Sequence, residues 1–171
     1  MSHQGWSHIG LTTLDMDRTL DFYQNVLGFP AVRCDIIKVT EGGQIRHVFF
    51  DTGGRQLLAF MEPRDIPGVA TEYDAGINRG LGVPEGFYHF AFEAGTPAEL
   101  RAKRAALIAR GVKVTEVVDH EWAQSIYFKD PNGIMLEYCC YTRPFNEDDA
   151  RLQPRFELSV KKMRMTDFRD A

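Results

Sequence analysis

The sequence predicts an α+β fold of two tandem βαβββ modules, whose eight strands form an open mixed sheet around a central cleft. The first observation behind this prediction is the order strand, helix, strand, strand, strand, which occurs twice along the chain. The second is an internal repeat, because His8 and Gly28 have counterparts in His89 and Gly111 about 80 residues further on. A repeat of this length indicates that one supersecondary unit has been duplicated.

The first module is predicted over residues 6–62. Apolar and polar side chains alternate along residues 7–14, which is typical of a strand with one buried face. A helical segment follows, with Asp15 or Asp17 as its N-cap and Gly28 at its end. Two strands joined by a glycine turn and one further strand complete the module.

The second module is predicted over residues 87–141, and the two modules form a single domain, residues 1–141. Its first strand places His89 at mid-strand, and its helix opens with the capping box Thr96 to Glu99. A strand at 113–119 and a hairpin complete the module. The hairpin turn has the sequence Asp-Pro-Asn-Gly, in which proline and glycine favour a tight reversal.

Two segments fall outside the repeat. Residues 63–86 are rich in proline, glycine and aspartate, so we expect a connecting loop with a role in covering a site. Residues 142–171 mix charges without a clear period. We expect them to form a C-terminal tail that lies on the surface or on a partner subunit.

The composition argues against several classes of protein. A net charge of −4 and the lack of a dense Lys/Arg stretch within the repeat argue against nucleic-acid binding. No apolar run reaches the length of a membrane span, and the start of the sequence lacks a secretion pattern. Three cysteines without a C-x-x-C motif suit a reducing compartment, so we expect a cytoplasmic protein.

Three residues that can bind a metal occupy related positions in the repeat. His8 and His89 lie on the first strands of the two modules, and Glu137 lies on the last strand of the second. Strand alternation points each of them away from the large apolar side chains of its own strand. Two imidazoles and one carboxylate with open positions are typical of non-haem Fe(II), and Zn²⁺ accepts the same set. The fourth related position is Ala59, which cannot bind a metal.

Each of these residues also has a simpler interpretation. A strand histidine is commonly a hydrogen-bonded structural residue, and Glu137 on an edge strand would face water. The recurrence of His8, His89 and Glu137 at repeat-related positions favours the metal site over these alternatives.

The double module and four motifs resemble the vicinal oxygen chelate superfamily over about residues 6–141. The motifs are HIGL, FYQNVLGF, FYHFAF and DPNGIMLEY. This superfamily includes glyoxalase I, methylmalonyl-CoA epimerase, extradiol dioxygenases and bleomycin-resistance proteins. The resemblance implies a metal centre, a small-molecule substrate and chains that can pair as a homodimer. Fe(II) is the preferred metal, with Zn(II), Ni(II), Mn(II) or Co(II) as alternatives.

One motif resembles the extradiol dioxygenases more specifically. Their signature is matched by Val118-x-His120, five residues, Ile126-Tyr127, Asp130-Pro131-x-Gly133 and Glu137. The resemblance implies that Glu137 is the third metal ligand and that His120 and Tyr127 contact the substrate.

Two features depart from that pattern. Ring-cleaving relatives carry a histidine near the start of the last strand of the first module, where this chain has Arg55 and Gln56. His47 lies one strand earlier and aligns with Ile126, which faces away from the cleft. We therefore expect a structural role for His47.

These observations favour a metal-dependent oxygenase of the extradiol ring-cleavage type, acting on a small catechol-like substrate with vicinal oxygens. One ion would hold the substrate and dioxygen together, while His120 and Tyr127 would bond to substrate oxygens. A glyoxalase- or epimerase-like lyase or isomerase is the first alternative, but Ala59 and the wrongly oriented Glu62 leave it without a carboxylate base. A bleomycin-resistance-like ligand-sequestering protein is the second, but it has no need of inward metal ligands.

Overall fold

Two four-stranded mixed sheets form the framework of the protein. The computed structural model describes residues 5–151, and within them the strand and helix order confirms the α+β class and the duplicated βαβββ arrangement. The described chain divides into two compact units. The first unit comprises the residues up to Val83 together with Asp130–Ile134, and the second comprises Pro84–Lys129 and the residues from Met135 onward.

In the first unit the sheet order is β1-β4-β3-β2, with β1 parallel to β4 and the other neighbours antiparallel. Its elements are β1 (His8–Thr12), α1 (Met16–Leu20), a π-helical segment (Asp21–Val26), β2 (Ala31–Lys38), β3 (Gln44–Gly53), β4 (Gln56–Arg64) and α2 (Ile77–Leu81). Asp15 caps α1 by accepting a hydrogen bond from the backbone N–H of Arg18. The predicted helix therefore exists, but its second half is π-helical.

The core of the first unit lies between the helical segment and one face of the sheet. Tyr23 packs against Phe50 and Phe60, with ring centroids 5.2 and 4.9 Å apart, and none of the three rings is exposed. Glu62 lies on this helix-covered face as well, because it accepts the backbone N–H of Met16 at 3.2 Å. The neighbouring residues along the strands, such as Phe49 and Ala59, lie on the opposite face of the sheet.

The Asp-Pro-Asn-Gly turn belongs to the first unit and is organised by Asp130. Its Oδ1 accepts the backbone N–H groups of Asn132 and Ile134 at 2.9 and 2.8 Å. Its Oδ2 accepts the hydroxyl of Tyr23 at 3.2 Å. Gly133 has a φ of +84°, which the tight reversal requires. Burial raises the pKa of Asp130, although the hydrogen bonds that it accepts from Asn132, Ile134 and Tyr23 act in the other direction.

In the second unit the sheet order is β5-β8-β7-β6. Its elements are β5 (Phe90–Glu93), α3 (Pro97–Ala109), β6 (Val118–Asp119), β7 (Ala123–Lys129), β8 (Met135–Tyr141) and α4 (Glu147–Ala150). The predicted capping box of α3 is confirmed, with Thr96 and Glu99 bonded reciprocally. The ammonium of Lys103 lies 4.6 Å from the ring centroid of Tyr138, so α3 covers the face of β8 that Tyr138 occupies.

Two strand predictions for the second unit were wrong in extent. His89 precedes β5 instead of lying at mid-strand, because a turn with Gly86 at a φ of +87° leads into the strand. The strand predicted over 113–119 is reduced to β6. Before β6 the chain contacts β7 through an isolated bridge at Val114 and two bonds of Thr115, whose N–H donates to the Tyr127 carbonyl and whose hydroxyl oxygen accepts the Tyr127 N–H.

Beyond the duplicated modules, the predicted tail 142–171 is described only to Arg151, and residues 152–171 lie outside the described part of the chain. The described part of this segment contains α4. No helix in residues 5–151 is both long enough and apolar enough to cross a membrane.

Candidate active site

One face of the sheet in the second unit collects most of the candidate residues. The register pairs Glu137 with Ala91 on β5 and with Tyr127 on β7, so these three side chains lie on the same face. Ser125 and Cys139 are paired on the same face, one alternation further along their strands. We call this the site face, defined by Ala91, Ser125, Tyr127, Glu137 and Cys139. The predicted alternation along the hairpin strands is confirmed.

His89 and Glu137 form a close pair at this face. Nε2 of His89 lies 3.0 Å from Oε2 of Glu137, and the His89 side chain is 36% exposed against 6% for Glu137. The bond with Glu137 raises the pKa of His89 against the opposing effect of burial. Burial by itself would raise the pKa of Glu137, but the bond from His89, the nearby Ser125 and the charges of His89 and His120 lower it overall. The pair therefore favours the charged form of both groups.

The orientation of His89 fits a metal ligand. Its Nδ1 lies 2.8 Å from the carbonyl oxygen of Gly86, which can only accept, so Nδ1 carries the proton. An outer hydrogen bond of this kind fixes the tautomer and ring direction of metal-binding histidines. Nε2 is then the nitrogen beside the Glu137 carboxylate, and one divalent ion could replace the proton between them.

His8 belongs to the first unit, and its contacts there are with Ser7 and Phe49. Its ring meets Phe49 edge-on, with centroids 5.7 Å apart, and its Nδ1 lies 3.0 Å from the hydroxyl of Ser7. Among residues 5–151, no group of three or more His, Cys, Asp or Glu side chains is placed to hold a metal ion. The three-ligand set His8, His89 and Glu137 therefore stays a prediction.

The structure brings His120 and Tyr127 into contact. Nε2 of His120 lies 3.0 Å from the hydroxyl oxygen of Tyr127. The Tyr127 ring is nearly perpendicular to the imidazoles of His120 and His89, at centroid distances of 6.4 and 6.0 Å. Tyr127 is only 4% exposed. Burial, and then the charge of Glu137, raise the pKa of Tyr127 well above its usual value. The phenol is therefore a permanent hydrogen-bond donor at ordinary pH.

Two further residues of the site face were not predicted. Ser125 is fully buried, and its Oγ lies beside Tyr127, Glu137 and Cys139 without a hydrogen bond of ordinary geometry among the described residues. Burial raises the pKa of the Cys139 thiol. The signal that could have found both is strand parity, because Ser125 lies two residues before Tyr127 and Cys139 lies two after Glu137.

The prediction that His47 faces away from the candidate metal ligand His8 was wrong. The register pairs His47 with Met61 and Phe49 with Ala59, which places both on the face of the first sheet that carries His8. His47 packs on Phe49 with ring centroids 4.4 Å apart. The registers pair Phe49 with Ala59 and Tyr127 with Glu137, so His47, two residues before Phe49, corresponds to the residue two before Tyr127, which is Ser125. Alignment of the two turns matches His47 with Ile126 instead, and an error of one residue moves a side chain to the other face.

The predicted orientation of Glu62, away from the face that carries Ala59, is confirmed. Ala59 is 1% exposed and offers no donor at the position related to Glu137. Glu62 lies on the opposite face, where Arg64 binds it at 3.0 Å and Arg46 at 3.5 Å. Its carboxylate is committed to these partners and to the start of α1.

Comparison with known proteins decides the family. The model of the Glyoxalase/Bleomycin resistance protein/Dioxygenase superfamily matches residues 5–138. The chain belongs to this superfamily. Its members are typically metal-dependent.

Several individual proteins are similar to this superfamily member in sequence or in structure. A catechol-2,3-dioxygenase of Bacillus subtilis (strain 168) is 29% identical over 134 residues, which are 77% of this chain and 40% of the relative. An integron cassette protein from the mobile metagenome of the Halifax Harbour sewage outfall has 25% identity and a TM-score of 0.58, covering 80% of this chain and 97% of that one. The fosfomycin resistance protein FosX of Listeria monocytogenes has 21% identity and a TM-score of 0.56, covering 81% and 93%, and shows the shared fold.

Proposed function

We propose that this protein is a metal-dependent oxygenase of the extradiol ring-cleavage type, acting on a small catechol-like substrate with vicinal oxygens. The observation that carries the proposal is the hydrogen-bonded pair of His120 and Tyr127 on the face that carries Glu137. The likeness to a catechol-2,3-dioxygenase supports the same reaction, although the chain spans 40% of that relative.

In this proposal His8, His89 and Glu137 would hold the ion, and Fe(II) is the metal that suits two imidazoles, one carboxylate and open positions. When bound, the ion supplies Lewis-acid and redox chemistry at adjacent open positions. His89 is held ready by its Nδ1 bond to the Gly86 carbonyl. Burial of Glu137, at 5% exposure, keeps its carboxylate beside His89 and away from bulk water.

Tyr127 and His120 would act on the substrate directly. Because the pKa of Tyr127 is raised, its hydroxyl stays protonated and can donate to a substrate oxygen as negative charge develops there. Nε2 of His120, now 3.0 Å from that hydroxyl, is the atom that would take or return a proton. Oγ of Ser125, which has no hydrogen-bond partner among residues 5–151, is one more buried polar atom near Glu137.

The experiment loads protein purified without oxygen with Fe(II), Zn(II) or Ni(II) and supplies catechol as the probe. We expect Fe(II)-dependent oxygen uptake in step with catechol loss and a ring-opened product that contains both oxygen atoms of dioxygen. Glu137→Gln should abolish metal retention and turnover, whereas Glu93→Gln changes an exposed carboxylate on β5 and should preserve both.

Two other results would each replace the proposal. Turnover of a hemithioacetal or an epimerisable thioester in the absence of dioxygen by the Zn(II) or Ni(II) form would establish a lyase or isomerase. Tight, stoichiometric binding of bleomycin by metal-free protein, without turnover of catechol, would establish a sequestering protein.

A further inference from the structure

A cluster of aromatic rings adjoins His120 in the second unit. Trp122 lies 6.2 Å from the His120 imidazole between ring centroids, with the planes inclined at 33°. Trp122 also packs on Phe145 at 4.9 Å and on Tyr141 at 5.7 Å, and Tyr141 and Phe145 meet edge-on at 5.8 Å. Phe145 lies beyond the duplicated modules. A residue outside the repeat therefore packs against Trp122, the ring that lies next to His120.

The loop that carries His120 has a strained backbone conformation, which hydrogen bonds within the loop and to the segment after β8 hold in place. Glu121 has a φ of +70°, a conformation that residues other than glycine seldom adopt. Its N–H donates to Oδ1 of Asp119 at 2.7 Å, and the N–H of His120 donates to the Ala123 carbonyl at 2.8 Å. The N–H of Thr142 donates to the Trp122 carbonyl at 2.9 Å, which ties the loop to the segment after β8.

The segment Thr142–Arg151 is held in its conformation by its own ion pair and helix cap. The guanidinium of Arg143 binds both carboxylate oxygens of Asp149, at 2.7 and 2.8 Å. Asn146 caps α4 by accepting the N–H of Asp148 at 2.9 Å, and Asp149 accepts the N–H of Asn146 at 2.8 Å. Phe145 lies between these fixed points in sequence, so its ring is held against Trp122 although it is 57% exposed.

We propose that the aromatic pair Trp122 and Phe145 positions the imidazole of His120 for its contact with Tyr127. The neighbouring indole, tilted by 33° against the imidazole, restricts rotation of the His120 ring, and the Thr142–Arg151 segment fixes the indole. Trp122 and Phe145 are positioning residues, because they act through His120. The consequence for catalysis rests on the proposed function, whereas the ordering of the His120 ring does not.

The test replaces Phe145 with alanine in the full chain and records the imidazole nitrogens by long-range ¹H–¹⁵N correlation. The protein has five histidines, so His120→Gln assigns the His120 signals. We expect one fixed tautomer in the unmodified protein and averaged or broadened His120 signals in Phe145→Ala. In the Fe(II)-loaded protein kcat for catechol should fall about two- to tenfold with little change in KM, the loss that corresponds to one aromatic pair.

Controls separate positioning from general damage. Phe145→Tyr keeps the aromatic ring, so its His120 signals and its kcat should match those of the unmodified protein. Ile108→Ala removes an exposed apolar side chain from α3, 47% exposed, and should change neither. Unchanged His120 signals in Phe145→Ala overturn the inference. Altered His120 signals in a protein that never cleaves catechol leave the positioning intact and reject only the proposed reaction.

Discussion

Replacement of Tyr127 by phenylalanine removes one hydroxyl and almost nothing else. The Tyr127 ring packs with Val118 and Met135, and phenylalanine fills the same space, so no cavity forms. The lost hydrogen bond to His120 should lower the free energy of unfolding by about 1 kcal/mol. If the hydroxyl stabilises charge on the reacting substrate, kcat should fall about a hundredfold, as for the loss of one oxyanion donor.

The assay is oxygen uptake by the Fe(II)-loaded protein with catechol, measured from acid to alkaline pH. Burial and the charge of Glu137 raise the pKa of Tyr127 well above its usual value. The phenol therefore does not ionise within the accessible range. We expect Tyr127→Phe to lower the whole pH profile without moving its alkaline limb.

Tyr138 provides a matched control in the same sheet. It is 3% exposed, burial raises its pKa to about 12, and it lies on the face covered by α3 instead of the site face. Tyr138→Phe should leave kcat within about twofold, the scatter of an ordinary conservative change. Full activity of Tyr127→Phe, loss of its alkaline limb, or equal impairment of Tyr138→Phe would each contradict a charge-stabilising role of the Tyr127 hydroxyl.

Two further predictions concern stability. Asp130→Ala should cost about 2–4 kcal/mol, because it deprives the Ile134 N–H and the Tyr23 hydroxyl of their acceptor, while Asp130→Asn retains one oxygen and should cost less; urea denaturation of the two variants tests this order. In metal-free protein the pair of His89 and Glu137 stabilises the fold most between about pH 4.5 and 6.5, the ordinary pKa values of the two groups. This stabilisation is lost as the pH rises through the raised pKa of His89 or falls through the lowered pKa of Glu137, and Glu137→Gln should remove both limbs from a plot of unfolding free energy against pH.

Strand parity predicted the site face well and failed where the two modules were aligned one residue out of register. Along β7 and β8 the alternation is unbroken, so Tyr127 and Glu137 could be placed on one face from the sequence alone. His47 was misplaced because the two turns were aligned through Asp51 and Asp130, whereas the registers make Asp51 equivalent to Lys129, one residue earlier. The contact of Phe145 with Trp122 depends on where the chain runs after β8, and no local pattern reports such a tertiary contact.

The two units show why a duplicated scaffold can carry different chemistry in each copy. Register decides which way a side chain faces, and related positions hold Phe49 and Ala59 in the first unit but Tyr127 and Glu137 in the second. A buried carboxylate is costly without a partner, and Glu137 has one in His89 at 3.0 Å. Ala59 needs none. The second unit can therefore keep a buried carboxylate on its site face because that carboxylate is paired, while the corresponding face of the first unit, which carries His8 and His47, has Ala59 at the related position. The reaction proposed here would then be governed mainly by the second unit, which alone holds the donors Tyr127 and His89 beside a carboxylate.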